Sequence, residues 1–452
     1  MANSTSVKKE AAPAVSAREI LKSYLKGDVT AILTYKKICN AFELVDRQFL
    51  EQLLDISDLT DDHCKTLVSC ISKLRWTAIP EDMRERWRNL LCDIGVRHVV
   101  HLETIYMCAI TNLIPHLSFG EDKSSILALP QADQEELFAM AHSIIAQMQV
   151  CIPVSATLIS KIVNRLFPHH TAPALKFTWY VRNVLNISEY ADSIRGDLWR
   201  ILIDRLVGID TLISQPGSDS DDSGAEGIFV LDIEDDSRSQ LPWEESTAEQ
   251  VAKLDDAMDS VMLYLAACHG QEVDESAASW MHCTGKHSES VFIAMHGAMD
   301  SHLLPTPSVR FVSFLWMYLG SLHESYPRRI LSFLYDVMIR PNAIQGETRK
   351  SHGAAAYLAA FLARAKYIDI NLALAYLVKM AAYLTAFVDR VGLTQRSVVP
   401  GLPHHGVFYA IANAFFLAFA FRYKEIVKCG ALEQVRLWNL GRFIHSSLDP
   451  LK

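Results

Sequence analysis

The sequence predicts an all-α fold, and three observations carry that prediction. Apolar residues recur at helical spacing along most of the 452 residues. Prolines interrupt them at short intervals. No clean alternating strand pattern and no Asn-Gly hairpin turn accompanies them.

The elements follow in chain order. Phe177, Tyr180, Val181, Val184 and Leu185 stand at i, i+3, i+4, i+7 and i+8, which is one face of a helix. Ile194, Leu198, Ile201, Leu202 and Leu206 mark the next one. Thr247 with Gln250 reads as a capping box, opening a helix that carries Leu254, Met258, Val261, Met262 and Leu265. Thr306-Pro307 reads as an N-cap followed by proline at the first helical position, ahead of Phe311, Phe314, Leu315, Tyr318, Leu319 and Leu322. Ile330, Phe333, Leu334, Val337 and Met338 repeat the stripe. Breaks fall at Ile79-Pro80, Ile114-Pro115, Leu129-Pro130, Ile152-Pro153 and Phe167-Pro168, because proline disfavours helix in the residue before it. Helices paired through such turns give hairpins of about 40 residues, the size of a HEAT or armadillo unit. A HEAT-like solenoid is therefore the expected architecture, with a compact helical bundle as its rival.

This division gives a disordered leader at 1–17, N-terminal helical repeats at 18–212, an acidic disordered loop at 213–247 and C-terminal helical repeats at 248–452. The loop stands out by charge. Between Ser218 and Glu249 the chain carries a net −10 against −9 for the whole, so the remainder is close to neutral. A protein that works by gripping duplex DNA needs a basic footprint. Direct duplex reading is disfavoured. The nine cysteines are scattered and odd in number, as expected of reduced thiols in the cytosol or nucleus. Gly406 to Phe421 is the most apolar stretch. Its 16 residues fall short of the ~20 a crossing helix needs, so a buried helix is expected and no membrane partner.

The motifs nearest to catalytic or metal-binding patterns are misfits. Gly285-Lys286-His287-Ser288 imitates a phosphate loop, but the position that should hold the first glycine is Trp280. Among Cys268-His269 and His282-Cys283 with His287, only Cys283 and His287 have helical or knuckle spacing, and no C-x-x-C completes a structural zinc site. The pairs His169-His170 and His404-His405 read as turn or helix-start residues. No enzyme activity, cofactor or metal is expected. Two serine groups are candidate phosphorylation sites. Ser218 and Ser220 stand among acids. Ser118, Ser124 and Ser125 stand in a short segment of modest charge, where a phosphate would change the local field more.

The C-terminal half carries a more specific pattern. Phe361-Leu362-Ala363-Arg364-Ala365-Lys366-Tyr367-Ile368 is followed by His405-Gly406-Val407-Phe408-Tyr409-Ala410, then Phe419-Ala420-Phe421-Arg422-Tyr423-Lys424, and Leu448-Asp449-Pro450-Leu451-Lys452. Lys253-Leu254-Asp255 opens a helix after the acidic stretch. In this order the segments resemble the RNA polymerase I-specific transcription initiation factor family known as TIF-IA. The likeness covers Val251 to Lys452 well. Farther upstream it rests on helical character, Trp76 and Tyr180-Val181-Arg182-Asn183.

That resemblance implies a HEAT-repeat factor of the nucleus and nucleolus that shuttles to the cytoplasm. It would bind RNA polymerase I at its stalk and dock region and bridge it to promoter-bound core factor, for transcription of ribosomal RNA genes. Phosphorylation of an N-terminal serine patch would control polymerase binding, and the free form would dimerise. Ser118, Ser124 and Ser125 occupy the comparable region. Arg364, Lys366, Arg422 and Lys424 are candidate partner contacts. The family extends past the stretch matching Asp449-Pro450-Leu451-Lys452, so the last repeat is expected to lack its usual cap. A generic HEAT-type scaffold or transport adaptor shares the composition but not the Phe361-to-Ile368 motif.

Overall fold

A computed structural model describes residues 75–120, 125–214, 244–283, 285–340, 345–394 and 402–451, with residues 65, 68 and 72. The predicted leader, Ser124, Ser218, Ser220 and most of the predicted 213–247 loop lie outside them. The fold is all-α, as predicted, and built of helical repeats. The chain forms two compact units that divide at Phe167 and Pro168.

In the first unit, α1 (Glu81–Arg97), α2 (Leu102–Thr111), α3 (Gln131–Cys151) and α4 (Ala156–Leu166) surround a core containing Trp76, Trp87 and Tyr106. Helix α1 packs on α3 and α2 on α4. Each helix thus lies on the next but one in sequence, which is the contact pattern of a stacked repeat. Pro80 and Pro130 each stand immediately before a helix, and Pro153 opens a 3-10 turn. Proline suits these places because it has no N–H to leave unpaired and its φ is preset. The unit also contains what the sequence pattern did not announce. Strands β1 (Leu117–Phe119) and β2 (Ser125–Leu127) form an antiparallel ribbon. Three residues per strand are too few to print an alternation.

The second unit begins with α5 (Ala174–Tyr190) and α6 (Arg195–Ser214), continues with α7 (Glu244–Cys268) and α8 (Ser288–Ala298), and passes through a π-turn at Met299–Leu303. There α5 packs on α7 and α6 on α8. Since α6 and α7 also pack together, the helices flanking the acidic stretch belong to one unit, and the contacts divide the chain elsewhere than at 212 and 248. The five stripe residues of α5 are all buried.

Next come α9 (Phe314–Ser321), α10 (Tyr326–Met338), α11 (Gln345–Arg364), α12 (Ile370–Thr394) and α13 (Leu402–Lys428), followed by the short α14 (Leu432–Arg436) and α15 (Gly441–Ile444). Helix α11 packs on α10 and α13, and α12 on α13. It passes so close to the π-turn that a Cβ at Gly353 would stand 2.5 Å from the Leu304 carbonyl oxygen.

Three local expectations are corrected. Helix α7 starts at Glu244, so Thr247 lies in its first turn and is not its cap, and the Gln250 amide donates to the His170 carbonyl instead of reaching back. Helix α9 starts at Phe314, well past Thr306-Pro307. The intervening backbone is turned because Asp210 accepts the N–H groups of Arg310, Phe311 and Val312 at 2.8–3.1 Å, and Ser308 takes a left-handed φ of 62°. The apolar stretch at 406–421 also belongs to a longer run, His405–Lys428, and Ile370–Gly392 is similarly apolar. Both are long enough to cross a membrane by length and composition. In the fold they pack against each other, with Phe408, Ile411, Ala412, Phe415 and Ala418 of the later one buried.

Candidate protein-binding surface

The segments that carry the family pattern meet in space. Helix α11 ends at Arg364, and its final carbonyl groups have no helical N–H to pair with. Arg422, from the second half of α13, fills that need. Its Nε donates to the Leu362 carbonyl, and its Nη2 donates to the carbonyls of Ala365 at 3.0 Å and Ile368 at 3.1 Å. Nη1 pairs with Glu425 at 2.8 Å. A planar guanidinium can serve several acceptors at once and places positive charge at a helix C-terminus, where it is favoured. The closing segment is tied in as well, because the Tyr409 hydroxyl donates to the Leu448 carbonyl at 2.5 Å.

The Phe361-to-Ile368 motif separates into two faces. Phe361, Leu362, Ala365 and Ile368 are buried, whereas Arg364 and Lys366 are exposed. Tyr367 donates its hydroxyl to the Met317 carbonyl at 2.7 Å, and burial of its ring pushes its pKa up. Asp369 accepts the Leu372 N–H at 3.0 Å and so caps the start of α12.

Between the end of α11 and the C-terminal half of α13 runs a groove of about 730 Å³. Arg364, Lys366, Ile370, Phe421, Glu425 and Lys428 are among its lining residues. Phe421 is 46% exposed, and Tyr423 and Val427 on the same helix are also exposed. Exposed aromatic and aliphatic side chains among a surplus of cations make a surface suited to a partner that is partly apolar and partly acidic. Lys424 is exposed but lies outside the groove lining. Arg422 is corrected as a contact candidate: it is 5% exposed, and its donors are taken up by backbone carbonyls and Glu425. It positions the surface from below.

The serine group divides. Ser118 pairs with Ile126 across the ribbon and Ser125 with Phe119. Paired residues share a face and successive residues alternate, so Ser118 and Ser125 are on opposite faces. Phe119, beside Ser125, is 70% exposed.

The upstream residues of the family pattern are structural. Trp76, Tyr180, Val181 and Asn183 are buried, while Arg182 stacks over Trp179 and Trp280 and bonds Ser260 at 3.0 Å. Lys253 is fully buried and donates to the His170 carbonyl, and burial lowers its pKa. His405 marks a kink in α13. Among the misfit metal candidates, His269 bonds the Leu265 carbonyl and Tyr326, His282 is exposed, and His287 sits near Asp192. Cys268 and Cys283 do converge, and Glu189 joins them. No spacing rule links residue 189 to residues 268 and 283, so sequence reasoning missed this group.

Comparison with known proteins extends the same pattern over nearly the whole chain. The family model for "RNA polymerase I specific transcription initiation factor RRN3" matches residues 43–452. The RNA polymerase I-specific transcription initiation factor tif-1A of Caenorhabditis elegans is 36% identical, over 99% of this chain and 75% of its own length. The mouse factor RRN3 is 22% identical, over 96% of this chain and 68% of its own. The crystal structure of RNA polymerase I transcription initiation factor Rrn3 shares the fold at a TM-score of 0.65 and 19% identity, covering 96% of this chain and 81% of that one. With a family model spanning most of its residues and a relative at 36% identity, the chain belongs to the RRN3 family of RNA polymerase I-specific transcription initiation factors.

Proposed function

We propose that this chain binds RNA polymerase I and bridges it to promoter-bound core factor, without catalysis, in transcription of ribosomal RNA genes. The observation that carries this reading is the groove between α11 and α13, whose exposed Arg364, Lys366 and Lys428 stand beside the exposed Phe421. Such a surface offers charge for steering and apolar area for affinity. Engaging polymerase on one surface and core factor on another would raise the local concentration of each for the other. The stalk and dock region of the polymerase, the nucleolar location, shuttling and dimerisation of the free form follow as parts of the same reading.

Phosphorylation is proposed to act through the serine segment at 118–125. A phosphate on Ser125 would place nearly two negative charges beside exposed Phe119 and disfavour an apolar or acidic partner there. Ser124 is a further candidate, as are Ser218 and Ser220 in the acidic stretch.

The test is co-precipitation of RNA polymerase I from nuclear extract. Arg364→Glu with Lys366→Glu should reduce recovery about tenfold or more, because reversing charges at an interface adds repulsion to lost attraction. The helical circular dichroism should stay unchanged, since both side chains are exposed. In the same assay, Ser125→Asp should reduce recovery while Ser118→Asp, on the opposite face of the ribbon, should have a smaller effect. Full recovery with the double reversal would remove the groove from the interface.

A further inference from the structure

Away from the groove, the second unit holds a cluster of donor atoms that none of the above uses. We infer that Cys268, Cys283 and Glu189 bind a zinc ion through two thiolates and one carboxylate. Cys268 closes α7, Glu189 lies in the last turn of α5, and Cys283 stands in the segment joining α7 to α8. The two Sγ atoms are 3.4 Å apart, and Cys268 Sγ lies 3.8 Å from Glu189 Oε1. The three donor atoms all fall within 4.8 Å of one another. Tetrahedral zinc with bonds of about 2.0–2.3 Å separates its ligand atoms by about 3.5–3.8 Å. The fold therefore holds these donors close to metal-binding distances.

The surroundings suit a ligating carboxylate. Tyr264 donates its hydroxyl to Glu189 Oε1 at 2.5 Å, and Ser188 Oγ lies 3.1 Å from that hydroxyl. Ligand carboxylates of metal sites are characteristically oriented by such outer partners. Buried Arg195 donates to the carbonyls of Ser188 and Glu189, adding positive charge at the same end of α5. Two thiolates and one carboxylate would bring three negative charges together, and a divalent cation offsets most of them.

Two sulfurs favour zinc over calcium or magnesium. Cys268 and Glu189 are buried and Cys283 is half-buried, so the ion enters from the Cys283 side and water takes the fourth position. A disulfide would account for the sulfur pair but would give Glu189 and Tyr264 no part.

The 452-residue chain, freed of any tag, should be saturated with zinc, desalted and assayed by mass spectrometry of elements. One zinc per chain is expected, with loss from Cys283→Ser and from Cys268→Ser and full retention in Cys429→Ser. Titration of the unsubstituted, folded chain with cobalt(II) alone should give sulfur-to-metal charge transfer and the intense visible bands of a tetrahedral site. Tyr264→Phe should bind about tenfold more weakly, the size expected for loss of an outer partner. The site is overturned if the unsubstituted chain takes up no metal and gives no cobalt–sulfur band. Undiminished metal in both serine variants also overturns it. So does a Cys268–Cys283 disulfide isolated from chain kept in excess zinc.

Discussion

Asp210 and Arg422 are buried charges of opposite sign that do matching work at two places in the second unit. Asp210 accepts three successive backbone N–H groups from residues 310–312. Arg422 donates to three backbone carbonyls at residues 362, 365 and 368. Each joins segments far apart in sequence by satisfying backbone groups that no helix or strand satisfies. They differ in what lies above them. Asp210 is wholly enclosed at 0% exposure, whereas Arg422 sits beneath a groove rimmed by exposed cations and Phe421. The carboxylate is a fastening of the fold, and the guanidinium is a fastening beneath the groove proposed to bind a partner.

Asp210→Ala should produce the largest loss, about 3–5 kcal/mol, because it leaves N–H groups without partners in a closed interior. An unfolding free energy from urea titration lowered by less than half that amount would show that water or relaxation repairs the gap. Arg422→Ala should cost less, about 2–3 kcal/mol, since the adjoining groove lets water reach the freed carbonyls. It should also impair polymerase recovery, which Asp210→Asn should not at temperatures where that variant is folded. A greater loss at 422 than at 210 would invert the comparison.

The smallest effect concerns buried groups that the fold keeps neutral. Burial pushes the Cys92 and Cys108 thiols up from 9.0 to about 11. Their folded-state values lie above the unfolded one, so their contribution is fully present below pH 9 and is lost as pH rises towards 11. The thermal midpoint should decline across that window, and replacing both by Ala should flatten the decline. Exposed Cys151 and Cys429 should be alkylated well before either.

These contrasts show what was legible beforehand. Helical stripes such as Phe177 to Leu185 were readable because burial on one face follows a fixed period. The acidic stretch was readable as a composition. Short-range marks misled where a distant residue took over the backbone: Thr306-Pro307 looks like a helix start, but Asp210, about a hundred positions earlier, holds the following N–H groups in a turn. At the candidate surface, Arg364 and Lys366 stood out as cations beside a motif. That Arg422 is buried was not legible, because one sequence does not show which helix end a guanidinium will meet. The ribbon at 117–127 likewise places Ser118 and Ser125 back to back, although they look like neighbours in the chain.

Gly353 extends this to the whole length of α11. The Leu304 carbonyl oxygen lies where a side chain at 353 would begin, so the spacing between that helix and the π-turn is gauged by one missing carbon. Adding that carbon would have to lift the helix, and a helix moves as a rod. Its far end is the one that Arg422 grips and from which Arg364 and Lys366 project. A methyl group touching no groove residue would then retune the groove from the opposite end, like a shim under one leg of a table.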